Sequence, residues 1–225
     1  MKRKSYSLYL NHCTLQAAIA TVLLWLMPVG GMAQTRVSAD VQREVLEKID
    51  KAAAAMASME CEFTQTKSMS LLSSDMKSHG VMYFQRPSKL RWQYVAPYDY
   101  TFILNGDQVQ LKSTKSTKNI DVKGNKMFRQ ITDIILNCIT GAGLKSTSDF
   151  TVEIYVKDGT YMAKMFPKKK ELKQIYSVIE VTFNATQTMV SSVKMTEKTG
   201  DATVVTLTNV KTNGAIDGHL FDITK

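Results

Sequence analysis

Apolar and polar residues alternate along most of the chain from Glu60 onward. Phe150, Val152, Ile154 and Val156 take turns with Thr151, Glu153 and Tyr155, which is the period of a strand with one face in a core and the other in water. The same pattern predicts strands over Glu60–Met69, Gly80–Arg86, Lys89–Val95, Tyr100–Leu104, Gln108–Leu111, Tyr161–Phe166, Ile175–Phe183, Val190–Thr196 and Ala202–Val210. Turn chemistry separates them at Asn105-Gly106-Asp107, Lys157-Asp158-Gly159-Thr160, Asn184–Gln187 and Lys198-Thr199-Gly200-Asp201. Successive strands joined by such short turns run antiparallel, and the count comes to about ten or eleven.

Two segments carry the helical period instead. After Ser38, a residue suited to capping, Val41, Val45, Ile49, Ala52 and Met56 follow at spacings of three and four, and charged residues fill the other face. This predicts a half-buried helix ending near Ser58. Met127, Phe128, Ile131, Ile134, Ile135, Cys138 and Ile139 repeat the spacing, and Gly141 and Gly143 stop it. The stretch Ser113–Asn125 before it is polar and lysine-rich and reads as a mobile loop.

The first 33 residues have another pattern. Lys2, Arg3 and Lys4 precede an apolar run from Ala17 to Met27, broken by Pro28, Gly30 and Gly31, and small residues at Gly31 and Ala33 place a cut after Ala33. The run is about 11 residues, short of the roughly 20 that span a bilayer. The expectation is an export signal over 1–33 and one domain over 34–225, with a periplasmic location and no lipid anchor, since Cys13 lies before the apolar run. The whole chain has 29 basic and 20 acidic residues, a net +9; without the three leader cations 26 stand against 20, leaving +6.

A sheet this long with only two helices cannot have both faces covered by helix. It must curl and bury its apolar face inside, leaving either a filled interior or a cavity for an apolar ligand. Ten methionines beyond residue 33 favour an adaptable interior. Catalytic chemistry is poorly provided for. His79 and His219 have no metal-ligand spacing, and neither a G-x-S-x-G elbow nor a C-x-x-C pair occurs. Neither an enzyme nor a metal protein is expected. Cys61 and Cys138 are either a single bridge in an oxidising compartment or two small buried apolar side chains. Lysines at 112, 115, 118, 123, 126 and 168–170 form basic runs. In an exported protein these suit acidic partners or anionic headgroups better than nucleic acid.

One ordered set of residues is more particular. Phe63-Thr-Gln65 is followed by Gly80-Val-Met-Tyr-Phe-Gln-Arg86-Pro87, then Leu90-Arg-Trp92-Gln-Tyr94, Pro97 and Asn105-Gly106. Met165-Phe166-Pro167-Lys168, Thr182-Phe183, Asn209-Val210, Asn213, Ile216 and Phe221 come later. Taken together, behind a leader and over about 40–223, this set resembles the LolA family of lipoprotein carrier proteins. The resemblance implies an α+β, mainly β fold: a single unclosed antiparallel β-barrel with a helical lid over an apolar cavity. It implies a monomeric, non-enzymatic periplasmic carrier without cofactor. Such a carrier takes acylated lipoproteins from an inner-membrane ABC-type release complex and hands them to an outer-membrane acceptor or to the outer membrane itself. A sensor or a carrier of free lipids on the same scaffold is the alternative, because fold does not fix function.

Strand parity then nominates a lining. Phe63 and Gln65 share a face, as do Met82, Phe84 and Arg86; Leu90, Trp92 and Tyr94; and Phe102 and Leu104. Ile131, Ile134 and Ile135 join from the lid. Arg86 ends an apolar row with a cation, and a guanidinium with five donors seeks carbonyls or a helix C-terminus. In the family, the arginine matching it latches the lid. The chain stops four residues after Phe221, where many relatives continue with a further strand, so a more open barrel is expected.

Overall fold

The computed structural model describes residues 34–124, 126–145 and 148–224, without the side chains of 126–128, 130 and 131. The leader expected over 1–33 and the predicted lid residue Ile131 therefore lie outside what is described. Twelve antiparallel strands form one sheet: β1 (Thr35–Arg36), β2 (Ser58–Ser68), β3 (Met76–Gln85), β4 (Lys89–Ala96), β5 (Tyr100–Asn105), β6 (Gln108–Ser113), β7 (Thr117–Asp121), β8 (Phe150–Lys157), β9 (Thr160–Pro167), β10 (Tyr176–Phe183), β11 (Val190–Glu197) and β12 (Ala202–Thr212). Their order is β1-β8-β9-β10-β11-β12-β2-β3-β4-β5-β6-β7. The chain thus lays down two meanders, and β12 joins them by pairing with β2. β1 and β7 do not pair with each other, so the sheet stays open. It nevertheless folds over: Phe84 of β3 lines one pocket with Phe150 and Val152 of β8 and Met165 of β9, six and five strands away in the order.

Among the described residues three α-helices accompany it: α1 (Ala39–Ala55), α2 (Lys126–Thr140) and α3 (Lys170–Ile175). Ser38 caps α1 by accepting from the Val41 amide, and Val45, Ile49 and Ala53, one turn apart, are the buried stripe. α1 stops at Ala55 rather than Ser58, because Ser58 already pairs with Gln85 as the first residue of β2. α2 buries Cys138 and Ile139, and Gly141 ends it with φ +75°. A Cβ there would come within 3.1 Å of Ile49 and 3.2 Å of Phe183, so the residue also permits α1, α2 and the sheet to meet.

Four details depart from the sequence pattern. The polar stretch expected as a loop contains β7, a strand on the open edge of the sheet. Its side chains are exposed apart from half-buried Ile120, so it carries no alternation to read. β3 starts at Met76, pairing with Lys67, four residues before Gly80. Lys170–Ile175 is helical, and the following strand begins at Tyr176. Thr35–Arg36 pairs with Tyr155 and Val156 at the other edge. That edge is further capped by Gln42, whose side chain accepts from the Ile154 amide and donates to the Val152 carbonyl. An exposed sheet edge invites pairing with other chains, and a side-chain amide that imitates a strand blocks it.

The segment after β12 straps the sheet from outside. Residues 213–224 run over the outer face of β4–β7. Arg91 donates to the Leu220 carbonyl, Asn105 to that of Phe221, and Gln110 and Asn119 both to that of Thr224. Phe221 of the strap and Ile103 of β5 are both buried. Asn213, at φ +60°, starts it by accepting from the Ala57 amide at 2.7 Å, while its own amide donates to the Ser58 carbonyl.

Candidate functional site

The nominated inner-face residues come together as three cross-strand rows over β3–β6. Phe84, Leu90, Leu104 and Val109 face one another in register, then Met82, Trp92, Phe102 and Leu111, then Gly80, Tyr94 and Tyr100, with Phe63 of β2 opposite Gly80. The first row is fully buried together with Met82 and Phe63, whereas Trp92, Phe102, Tyr94 and Tyr100 are half-buried. Gly80 exists for this packing. A Cβ there would collide with the Gln93 carbonyl and sit 2.8 Å from the Phe63 ring, and the β3–β4 register slips at the same place.

Rings of the second and third rows form a file with Phe63. The Phe63 centroid lies 4.9 Å from Trp92 and 5.1 Å from Tyr94, which is 6.3 Å from Tyr100. The Tyr94 hydroxyl donates to Gln65 Oε1 at 2.9 Å, confirming that Phe63 and Gln65 share the inner face. Burial raises the Tyr94 pKa, partly offset by that hydrogen bond. The Trp92 indole nitrogen is, among the described residues, the one buried side-chain polar atom without a hydrogen-bond partner.

Open space adjoins this face at both ends. A pocket of about 370 Å³ opens under α2, walled by Phe84, Arg86, Ile134, Phe150, Val152 and Met165 and rimmed by Asp133, Asn137 and Asp149. A second, of about 520 Å³, lies at the Tyr94–Tyr100 end beside Gln65, Met76, Pro97 and Tyr98. Both lie in the lower and middle part of the ordinary range of roughly 300–1,000 Å³ for ligand sites. Of the nominated lining, Phe84 and Ile134 reach the first pocket and Tyr94 the second. Ile135 packs on the core, while Phe63, Met82, Leu90 and Leu104 stand between the pockets as close-packed core. Sequence reading missed Phe150, Val152 and Met165 as pocket walls, although their strand parity was visible. It also missed Asp133, whose pKa is raised by burial and by Asp149 against the pull of Arg129.

Arg86 is at the mouth of the first pocket, and its bonds go to carbonyls at a helix end. Nε donates to the Met56 carbonyl and Nη2 to that of Ala53, each at 2.6 Å, and its amide donates to Ala57. The helix is α1. Among the described residues no hydrogen bond from Arg86 to α2 is found; α2 meets α1 where the Gly141 turn packs near Ile49. The charge complements the negative end of the α1 dipole and adds a second donor to the Ala53 carbonyl, which already accepts from the Met56 amide at 3.2 Å. Cys61 and Cys138 are free thiols, both buried, and burial pushes each up to about 12. Of the two readings open from sequence, the structure carries the apolar one.

An open antiparallel sheet rolled around an apolar face, with helices across its mouth, defines the class of half-barrel folds. The family described as outer membrane lipoprotein carrier protein LolA matches residues 54–224, and the chain belongs to it. Outer-membrane lipoprotein carrier proteins of Chromohalobacter salexigens and Methylococcus capsulatus are 21% and 23% identical to it. The first match covers 88% of this chain and 90% of the relative, the second 72% and 75%. In fold the chain is similar to an uncharacterised conserved protein of Thermus thermophilus, with a TM-score of 0.50 at 8% identity, covering 82% of this chain and 95% of that one. A LolA superfamily protein of Nitrosomonas europaea scores 0.42 at the same identity, covering 80% and 97%.

Proposed function

We propose that the chain is an exported, non-enzymatic carrier that covers the acyl chains of lipoproteins between the two membranes of the cell envelope. The observation that carries this reading is the construction of the mouth. An aromatic and methionine-lined inner face lies beneath helices whose closure includes two hydrogen bonds from one exposed arginine. Burying one CH₂ is worth about 0.8 kcal/mol, so two or three long chains would need tens of kcal/mol (~) to cross water bare. A carrier has to offset that cost and still let go. A packed interior that opens when α1 and α2 move supplies both properties. The empty protein recovers its own core contacts and the Arg86 bonds when cargo leaves, and this recovery helps to drive release.

In this reading residues 1–33 direct export and are removed after Ala33. The donor is an inner-membrane ABC-type release complex, and the receiver is an outer-membrane acceptor or that membrane. Residues 34–225 incubated with a fluorescent triacylated lipopeptide should form a stable 1:1 complex visible by native mass spectrometry. Diacyl phospholipid and free fatty acid bound as tightly as the lipopeptide would favour the alternative of a free-lipid carrier. No uptake of any acylated probe would refute the carrier reading altogether.

A further inference from the structure

The two half-barrel ends differ in what they show to water. Hydrogen-bonded register places the β2–β3 hairpin (69–75), the β4–β5 turn (97–99) and the β6–β7 turn (114–116) on one rim: Lys67 faces Met76, His79 faces Ala96, Tyr94 faces Tyr100, and Tyr100 faces Ser113. Five of the seven large hydrophobic side chains exposed among the described residues are here. They are Leu71 at 91%, Leu72, Met76, Val95 at 58% and Tyr98 at 53%. Isolated exposed apolar residues need no explanation, but five at one rim do. The hairpin is also held in shape: the Ser70 amide and hydroxyl both donate to Asp201 of the β11–β12 turn, and the Leu72 amide donates to the Met69 carbonyl. Leu71 and Leu72 are thus presented outward by a braced turn.

Chemistry around this apolar tip is cationic. Lys77, Lys112, Lys115 and Lys118 are exposed, and none of the four pairs with a carboxylate among the described residues. The exposed acids beside them are Asp75 and Asp99, so positive charge prevails. Between the leucines and the lysines lies the pocket of about 520 Å³ walled by Tyr94, Tyr98 and Tyr100. Projecting leucines, tyrosines at the waterline and a surrounding belt of lysines are the composition of a surface that rests in the headgroup layer of an anionic bilayer. A protein partner of matching shape would cover the leucines but gives no reason for the unpaired lysines.

We infer that this rim is a membrane-docking surface, with Leu71 and Leu72 entering the acyl boundary of an anionic phospholipid bilayer and Lys77, Lys112, Lys115 and Lys118 meeting its headgroups. Docking places the tyrosine pocket, and the ring file that runs from it to Phe63 and Trp92, against the lipid. This deepens the carrier reading by naming the surface used at the membrane, but it stands or falls on binding to lipid alone.

The test uses residues 34–225 with one added reporter tryptophan per variant, Leu71→Trp at the tip or Asp107→Trp on the β5–β6 turn at the far end of β5, each read as the difference from the unsubstituted chain, which itself carries Trp92. Vesicles are phosphatidylcholine with or without phosphatidylglycerol, carrying brominated acyl chains. The expected result is quenching at 71 and not at 107, with vesicle affinity rising at least tenfold when phosphatidylglycerol is included and falling steeply with salt. The double variant Leu71→Glu, Leu72→Glu should lose vesicle binding while its melting temperature and lipopeptide uptake stay unchanged. Equal quenching at both positions, no quenching at either, or binding that ignores lipid charge and salt would overturn the inference. So would lipid-free self-association abolished by the double variant, which would assign the rim to a second copy of the chain. Loss of lipopeptide uptake with docking intact would instead refute the carrier reading.

Discussion

Replacing Arg86 by leucine tests the arginine closure directly. The substitution removes two guanidinium donors at 2.6 Å from the Met56 and Ala53 carbonyls and a positive charge from the C-terminus of α1. Buried hydrogen bonds to a charged group contribute about 1.5–3 kcal/mol each. Arg86 is exposed and its carbonyl partners re-solvate when it is gone, so screening brings the pair to about 1–2 kcal/mol. For a domain of this size that lowers Tm by about 2–8 °C and raises the local opening of the α1 terminus about five- to thirty-fold. The amides of Met56, Ala57 and Arg86, bonded to Ala53, Asn213 and Ala57, should exchange faster by that factor, while Val181 in the middle of β10 should not change beyond the global loss. If cargo has to break the two bonds, the loaded state does not feel the substitution. The variant then binds lipopeptide about five- to thirty-fold more tightly and releases it correspondingly more slowly. Arg86→Lys keeps a charge but not the fork and should fall between. Unchanged exchange at Met56 and Ala57 would refute the closure. Faster exchange with weaker lipopeptide binding would leave the closure standing and refute its role in release.

Gly80→Ala puts a methyl group into the Gln93 carbonyl and the Phe63 ring and should lower Tm by about 2–12 °C, from an overpacking cost of about 1–3 kcal/mol; an unchanged melt would refute the close-packing account. With both thiols up to about 12, roughly one in 10⁴ is ionised at pH 8. Iodoacetamide should therefore leave folded 34–225 unmodified and alkylate Cys61 and Cys138 fully in denaturant, which mass spectrometry reads directly. The raised pKa of Asp133 means that burial disfavours its charged form in the folded protein. Stability is therefore lower above that pKa and recovers as pH falls through it. Asp133→Asn should raise Tm at neutral pH, and the gain over wild type should vanish once the wild-type carboxyl is protonated.

The strands that build the site were legible because each half-buried strand must alternate, and Met82, Phe84, Leu90, Trp92 and Phe102 do so without interruption. Their register follows from short turns, which leave little freedom in pairing. β7 was not legible, since an edge strand with water on most of its side chains has no need of a pattern. The C-terminal strap was hidden for a different reason. It holds on through backbone carbonyls at Leu220, Phe221 and Thr224, and every residue type carries those. Only Phe221 hinted that something had to be covered.

By itself the sequence determined an antiparallel sheet too long to lie flat, two helices, an apolar face and one cation at the end of that face, because period and turn chemistry are local properties. Tertiary structure alone decided what the cation holds and how much space the face encloses. Arg86 finds carbonyls 30 and 33 positions earlier in the chain. Among the described residues, one pocket opens at each end of a packed aromatic and methionine core. Both outcomes depend on which distant surfaces the rolled sheet brings within van der Waals reach, and no local period encodes that.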